Sequence, residues 1–236
     1  MNWWSMRWSG TRARGYSLGC IAMHFSFLSA LPAFTMFRSS LDDPLIVRVK
    51  AALDPLQIEG DTHVPKRTGQ RPASVLMPLV LRAADWHVLL TRRPMHMKSH
   101  AGQVSFPGGR TEIGETPCEG ALRETYEEVG IGREDIHLLG RLPSFNAVSE
   151  YRITPYVGIF NPAAIITPDP GEVDAVFEIP LSFFMSRNNH IRREVKFENE
   201  WHILYDMPWP NAENMVHNVW GMTAMILYRL YERLDA

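Results

Sequence analysis

The segment from Gly109 to Ile131, GRTEIGETPCEGALRETYEEVGI, constrains this chain more than any other. Thr116-Pro117 opens a helix, because proline at the first helical position gives up only an N–H that has no partner there. Gly130 closes it, since glycine tolerates the left-handed backbone that ends many helices. The interval predicts about four turns at 3.6 residues per turn. Residues i, i+3 and i+4 lie on one helical face, which places Glu124, Glu127 and Glu128 in a single arc. Carboxylates so gathered raise one another's pKa and destabilise the helix unless a divalent cation neutralises them. Oxygen donors without cysteine or clustered histidine suit Mg²⁺ or Mn²⁺. The competing interpretation is a solvated acidic face with Arg123 as its counter-charge.

Composition narrows the classes. A chain of 236 residues with 45% hydrophobic content has enough apolar material for one sizeable core. Its formal net charge of −2 gives no overall basic field to recruit nucleic acid or an acidic membrane, so phosphate recognition has to be local. Cys20 and Cys118 are too few and too distant for a disulfide framework or a zinc site, which points to the cytoplasm. Residues 1–40 read as an extension: a basic start with Arg7, Arg12 and Arg14, three tryptophans, then a weakly apolar run. It is a disordered stretch from an upstream start codon, an organelle-targeting leader, or a secretory or membrane signal; His24 and Pro32 weaken a spanning helix. Met36 is an alternative start. Residues 41–236 form the domain.

Within that domain, 41–53 reads as an amphipathic helix. ASVLMPLVLR (73–82) and WHVLLTRR (86–93) read as strands, and the loop from Pro94 to Gly109 follows. IHLLGRL, ITPYVGIF and REVKFENEWHILYDM read as further strands, PLSFFMS as a short helical piece, and VWGMTAMILYRLYERL as a packing helix. PDPGEVDAVFEIPL reads as a polar loop before a helix, and its Glu172 is a candidate extra ligand or base. His96, His100 and His137 lack metal-ligand spacing. Trp201, Tyr205 and Trp209 suit a core or a dimer surface, so a homodimer stays open. The mixed order predicts an α+β fold with helices layered on a sheet.

Gly109, five residues, Glu115, seven residues, then RETYEEVGI resembles the Nudix box, a glycine, glutamate and REUxEExGU pattern. Every fixed Gly, Glu and Arg is present, and Thr125 stands where a bulky aliphatic residue is preferred. The resemblance implies a Nudix-type α/β/α sandwich with a mixed sheet, hydrolysing a nucleoside diphosphate linked to another group. It implies metal ligation by Glu124, Glu128, Glu127 and the Gly109 carbonyl. Glu127 and Glu128 are then catalytic, with Glu127 a ligand or a base for water. Arg123 orients a glutamate and Glu115 supports the helix end.

Upstream, LLTRRPMHMKSHAGQVSFPGG resembles the signature of the family's coenzyme A pyrophosphatase branch. Leu89, Leu90, Thr91, Arg93, Gly102, Phe106, Pro107, Gly108 and Gly109 match, while Pro94 and Lys98 depart from it. The implied substrate is coenzyme A or a thioester. Arg92, Arg93, Lys98, Gly102 and Phe106 are then substrate-binding residues, the cations meeting the ribose 3′-phosphate. A lysine at 98 keeps the charge and loses the planar fork of arginine. Other expectations are a Nudix hydrolase of ADP-ribose, NADH or a nucleoside triphosphate, or a regulatory module that binds nucleotide without turnover. Neither nucleic acid nor membrane is an expected partner.

Overall fold

A computed structural model describes residues 37, 39–56, 69–97, 100–147, 150–197, 200–210 and 216–235. The expectations for residues 1–36 and for Lys98 fall outside them. Two long strands, β1 (Arg71–Arg82) and β7 (Tyr151–Phe160), run parallel through the centre in register from Arg71↔Tyr151 to Leu79↔Ile159. The other pairings are antiparallel. β2 (Asp85–Arg92) and β4 (Gly108–Arg110) pair with β1, while β5 (Ile136–Arg141) and β6 (Phe145–Asn146) pair with β7. β3 (Val104–Ser105) and β8 (Ala175–Pro180) flank β2. A second sheet has the order β11 (Val216–Trp220), β10 (Glu200–Pro210), β9 (Ile191–Phe197).

Side chains alternate along the central strands and divide the core into two layers. Met77 and Leu79 of β1, Val88 and Leu90 of β2, and Val157 and Ile159 of β7 join one cluster. It includes Ile46 and Val49 of α1 (Pro44–Ala51) and Ala224, Leu227 and Leu230 of α4 (Gly221–Asp235). Their neighbours Leu76, Val80, Leu89, Tyr156 and Phe160 face the opposite way, toward Ala121 and Val129 of α2 (Pro117–Val129) and Ile131. Helices therefore cover both faces, the α/β/α sandwich read from the sequence. Phe37 joins the first cluster, so the packed unit reaches back to that residue. Among the described residues no helix is long and apolar enough to cross a membrane.

Two segments differ from their sequence reading. Ala175–Pro180 is strand β8, not loop; it fills the edge of β2 from His87↔Pro180 to Arg92↔Ala175. A two-pronged Arg82–Glu178 ion pair at 2.7 and 2.9 Å fastens it to the end of β1. Helix α3 (Leu181–Phe184) begins only after it. The 94–109 loop carries β3 and the start of β4, which bring Gly108 and Gly109 against Val75 and Ser74.

Candidate metal and substrate site

Helix α2 is capped as its sequence requires. The Thr116 hydroxyl accepts from the Glu119 N–H at 3.2 Å and the Glu119 carboxylate accepts from the Thr116 N–H at 2.8 Å, satisfying two helix-end donors. Gly130 ends the helix at φ 74°. Thr125 is fully buried and donates to the Ala121 carbonyl at 2.7 Å, so its hydroxyl carries no unpaid desolvation at an otherwise aliphatic position.

The three glutamates occupy different surroundings. Glu128 is buried, 3% exposed, and accepts from the Gly108 N–H. Burial pushes its carboxyl up to about 8, against the nearby Arg93 guanidinium and with repulsion from Glu124 and Glu172. Glu124 is raised too, again chiefly by desolvation. Its carboxylate lies over Gly109, where an added Cβ would stand 2.5–2.6 Å from the carboxyl atoms, so a larger residue there would push the Glu124 carboxylate aside. Glu127 is half exposed and turned toward Arg123.

Arg123 ties the site together. It grips Glu115 through two bonds at 2.9 and 3.2 Å, donates to Glu124 at 2.9 Å and Glu127 at 2.7 Å, and reaches the Arg110 carbonyl at 3.0 Å. These bonds hold the Glu115 carboxyl below its usual range and raise the guanidinium further above its own. Glu115 thus anchors the arginine that orients the other two. Among the described residues no three acidic, histidine or cysteine side chains form a preformed cage, and Arg123 engages two of the three box glutamates. The donor set still fits a hard divalent cation. It is all oxygen, Glu124 and Glu128 are desolvated carboxylates whose charged forms need a positive partner, and the Gly109 cradle keeps the backbone close to Glu124.

The segment after β7 completes the rim. Thr167 N–H donates to Val129 O at 2.8 Å and Asp169 N–H to Glu128 O at 3.0 Å, which fastens it to the end of α2. Glu172, exposed on this segment, lies near enough to Glu124 and Glu128 to raise both. The Asp174 N–H then donates to Arg92 O at 2.8 Å.

The expected basic cluster divides. Arg93, the residue after β2, lies near enough to Glu128 to oppose the rise in its carboxyl, whereas Arg92, the last residue of β2, falls by strand alternation on the face of Val88 and Leu90. There Asp174, an acidic partner 82 positions along the chain, holds it at 2.6 and 2.9 Å. Arg92 lines a cavity of about 410 Å³ with Met95, Val104, Asp174, His217 and Trp220. Phe106 is also corrected: at 2% exposure it is part of the core and seats the loop instead of meeting a substrate. Gly102 has φ 69° and turns the loop. Of the aromatic trio, Tyr205 stacks on Tyr228 at 3.8 Å and Trp209 packs edge-on to Phe183 at 4.8 Å, while Trp201 is exposed. A larger cavity of about 640 Å³, beside Tyr205 and Tyr228, contains no box residue.

The NUDIX domain family matches residues 70–204. The uncharacterized Nudix hydrolase NudL of Photorhabdus laumondii is 35% identical over 174 residues, covering 72% of this chain and 90% of that protein. Nudix hydrolase 3 of Caenorhabditis elegans is 34% identical over 179 residues, covering 69% and 72%. A solved MutT/nudix family protein from Enterococcus faecalis aligns with 88% of this chain and 74% of its own at 15% identity and a TM-score of 0.49. Hydrolases with this domain generally use divalent metal ions. With the box residues gathered at one helix and the family matched over more than half its length, the chain belongs to the Nudix hydrolases.

Proposed function

We propose that this Nudix hydrolase cleaves the pyrophosphate of coenzyme A or its thioesters, giving 3′,5′-ADP and 4′-phosphopantetheine or its acyl form. The observation that carries the proposal is Arg93, a residue of the coenzyme A signature, which follows β2 and lies near enough to the buried Glu128 to act on its carboxyl. A cation at that position meets a phosphate next to the reacting pyrophosphate, as a substrate with both groups requires.

Glu124 and Glu128, with the Gly109 carbonyl, are the groups that would hold Mg²⁺ or Mn²⁺, and Glu127 is a further ligand or the base for water. The cation, when bound, screens the pyrophosphate charge and polarises phosphorus. Arg123 fixes Glu124 and Glu127 through the Glu115 anchor, so the carboxylates are oriented before substrate arrives. Water forms one new P–O bond, the bridging P–O bond breaks, and the released proton passes to a carboxylate. Glu172 faces the same centre and is a second candidate to receive it. The cytoplasm, where coenzyme A and divalent ions are both available, is the proposed location.

The test is a substrate panel at fixed Mg²⁺ with products identified by mass: coenzyme A, dephospho-coenzyme A, ADP-ribose and NADH. Coenzyme A fastest, with 3′,5′-ADP as product, supports the proposal. ADP-ribose or NADH fastest overturns it in favour of a different pyrophosphate, and no turnover of any favours a nucleotide-binding module.

A further inference from the structure

We propose that the cavity walled by Met95, Gly102 and β11 receives the end of the substrate's pantetheine arm, making Met95 and Trp220 specificity-determining residues. This rests on the coenzyme A reading above. The cavity, about 410 Å³, falls within the range of small-molecule pockets. It is tied to the reaction centre by a short link. Asp169 is bonded to the Glu128 carbonyl and Asp174, a wall of the cavity, to the Arg92 carbonyl. Five peptide units separate the two, a span of at most about 18 Å when fully extended. Arg93 and Arg92, adjacent in sequence, serve the centre and the cavity respectively.

The lining selects the kind of group that enters. Arg92 is matched by Asp174 at 2.6 Å, so the cavity offers no net charge to a phosphate. Met95 is 74% exposed and Trp220 38% exposed, large apolar surfaces that the fold itself leaves uncovered. His217 and Asn218 add hydrogen-bonding groups. A neutral chain bearing amides and ending in a thiol or an acyl group matches this lining; the charged nucleotide half belongs on the Arg93 side. The signature glycine gains a role here: a Cβ at Gly102 would lie 2.6 Å from the Met95 sulfur, so glycine leaves room for that side chain at the cavity wall.

The two products separate the halves of the substrate. Inhibition constants of 4′-phosphopantetheine and of 3′,5′-ADP against coenzyme A hydrolysis are measured for the unaltered chain, Met95→Ala and Trp220→Ala, with melting temperatures as a check on folding. Each substitution is expected to weaken 4′-phosphopantetheine about tenfold and leave 3′,5′-ADP within about twofold. Equal weakening of both, or of neither, in the fully folded Met95→Ala variant overturns the inference while leaving the coenzyme A reading in place. An unaltered chain that does not hydrolyse coenzyme A overturns both.

Discussion

Replacing Glu128 with glutamine separates the two demands made on that carboxylate. It sits 3% exposed, and burial pushes its carboxyl up to about 8 against an ordinary 4.5. The folded state therefore holds a proton that the unfolded chain releases above about pH 4.5. Stability falls as pH rises from there and levels off once the folded carboxyl has ionised, near pH 8. The rise from 4.5 to about 8 corresponds to a ceiling of about 5 kcal/mol. Structural relaxation and water penetration around the buried carboxylate reduce this to roughly 2 kcal/mol. Glutamine keeps the shape and stays neutral, so Glu128→Gln should melt about 4–8 °C higher than the parent at pH 8.5 without metal, and within about 1 °C of it at pH 5. Saturating Mg²⁺ should cancel or reverse the gain, because a cation favours the ionised carboxylate, and turnover should fall by at least about a hundredfold. Thermal unfolding at both pH values with and without Mg²⁺, beside kinetic assays, decides the matter. A gain equal at pH 5 and pH 8.5, or a loss at pH 8.5, would refute the reasoning from burial.

Arg123→Lys should lower turnover at least about tenfold, because an ammonium cannot make the two-pronged grip on Glu115 while reaching Glu124 and Glu127; a rate within twofold of the parent counts against the anchoring role. Dephospho-coenzyme A should be about ten- to a hundredfold poorer than coenzyme A, and Arg93→Ala should narrow that gap, as expected of one lost charge-assisted bond. An unchanged ratio in the variant would mean that Arg93 reads some other group. EDTA should abolish activity, Mg²⁺ or Mn²⁺ should restore it, and each should raise the melting temperature; about 2.7 kcal/mol is expected at a hundred times Kd.

Much of the site was legible because it is built within one continuous segment. Helical geometry alone joins Arg123, Glu124, Glu127 and Glu128, and the Thr116 and Gly130 caps fix where the helix begins and ends. The layering was legible too, since β1, β2 and β7 are apolar on both faces and need helices on each. The failures are tertiary. Nothing local marks Ala175–Pro180 as a strand; it becomes one because β2 has an edge for it to fill. Phe106 sits in a loop whose sequence reads as substrate-binding, and only the packed structure shows that its ring is core. The difference between Glu127 and its neighbours was likewise hidden, because an arc of carboxylates does not say which of them a neighbouring strand will bury.

Arg92 and Arg93 show how the same strand geometry becomes functional. Two adjacent cations look like one charge cluster in a sequence, but a strand sends them to opposite faces and different partners. Arg93 lies near enough to Glu128 to oppose the rise that burial imposes on its carboxyl. Arg92 meets Asp174 and is neutralised. The segment supplying Asp174 also supplies Glu172, two residues earlier, to the centre, and its bond to the Glu128 carbonyl couples both positions to the end of the box helix. One strand end and one loop thus set a charged centre on one face of the sheet and a neutral cavity on the other. On the proposed reading, the charged nucleotide half of coenzyme A occupies the first and its uncharged arm the second.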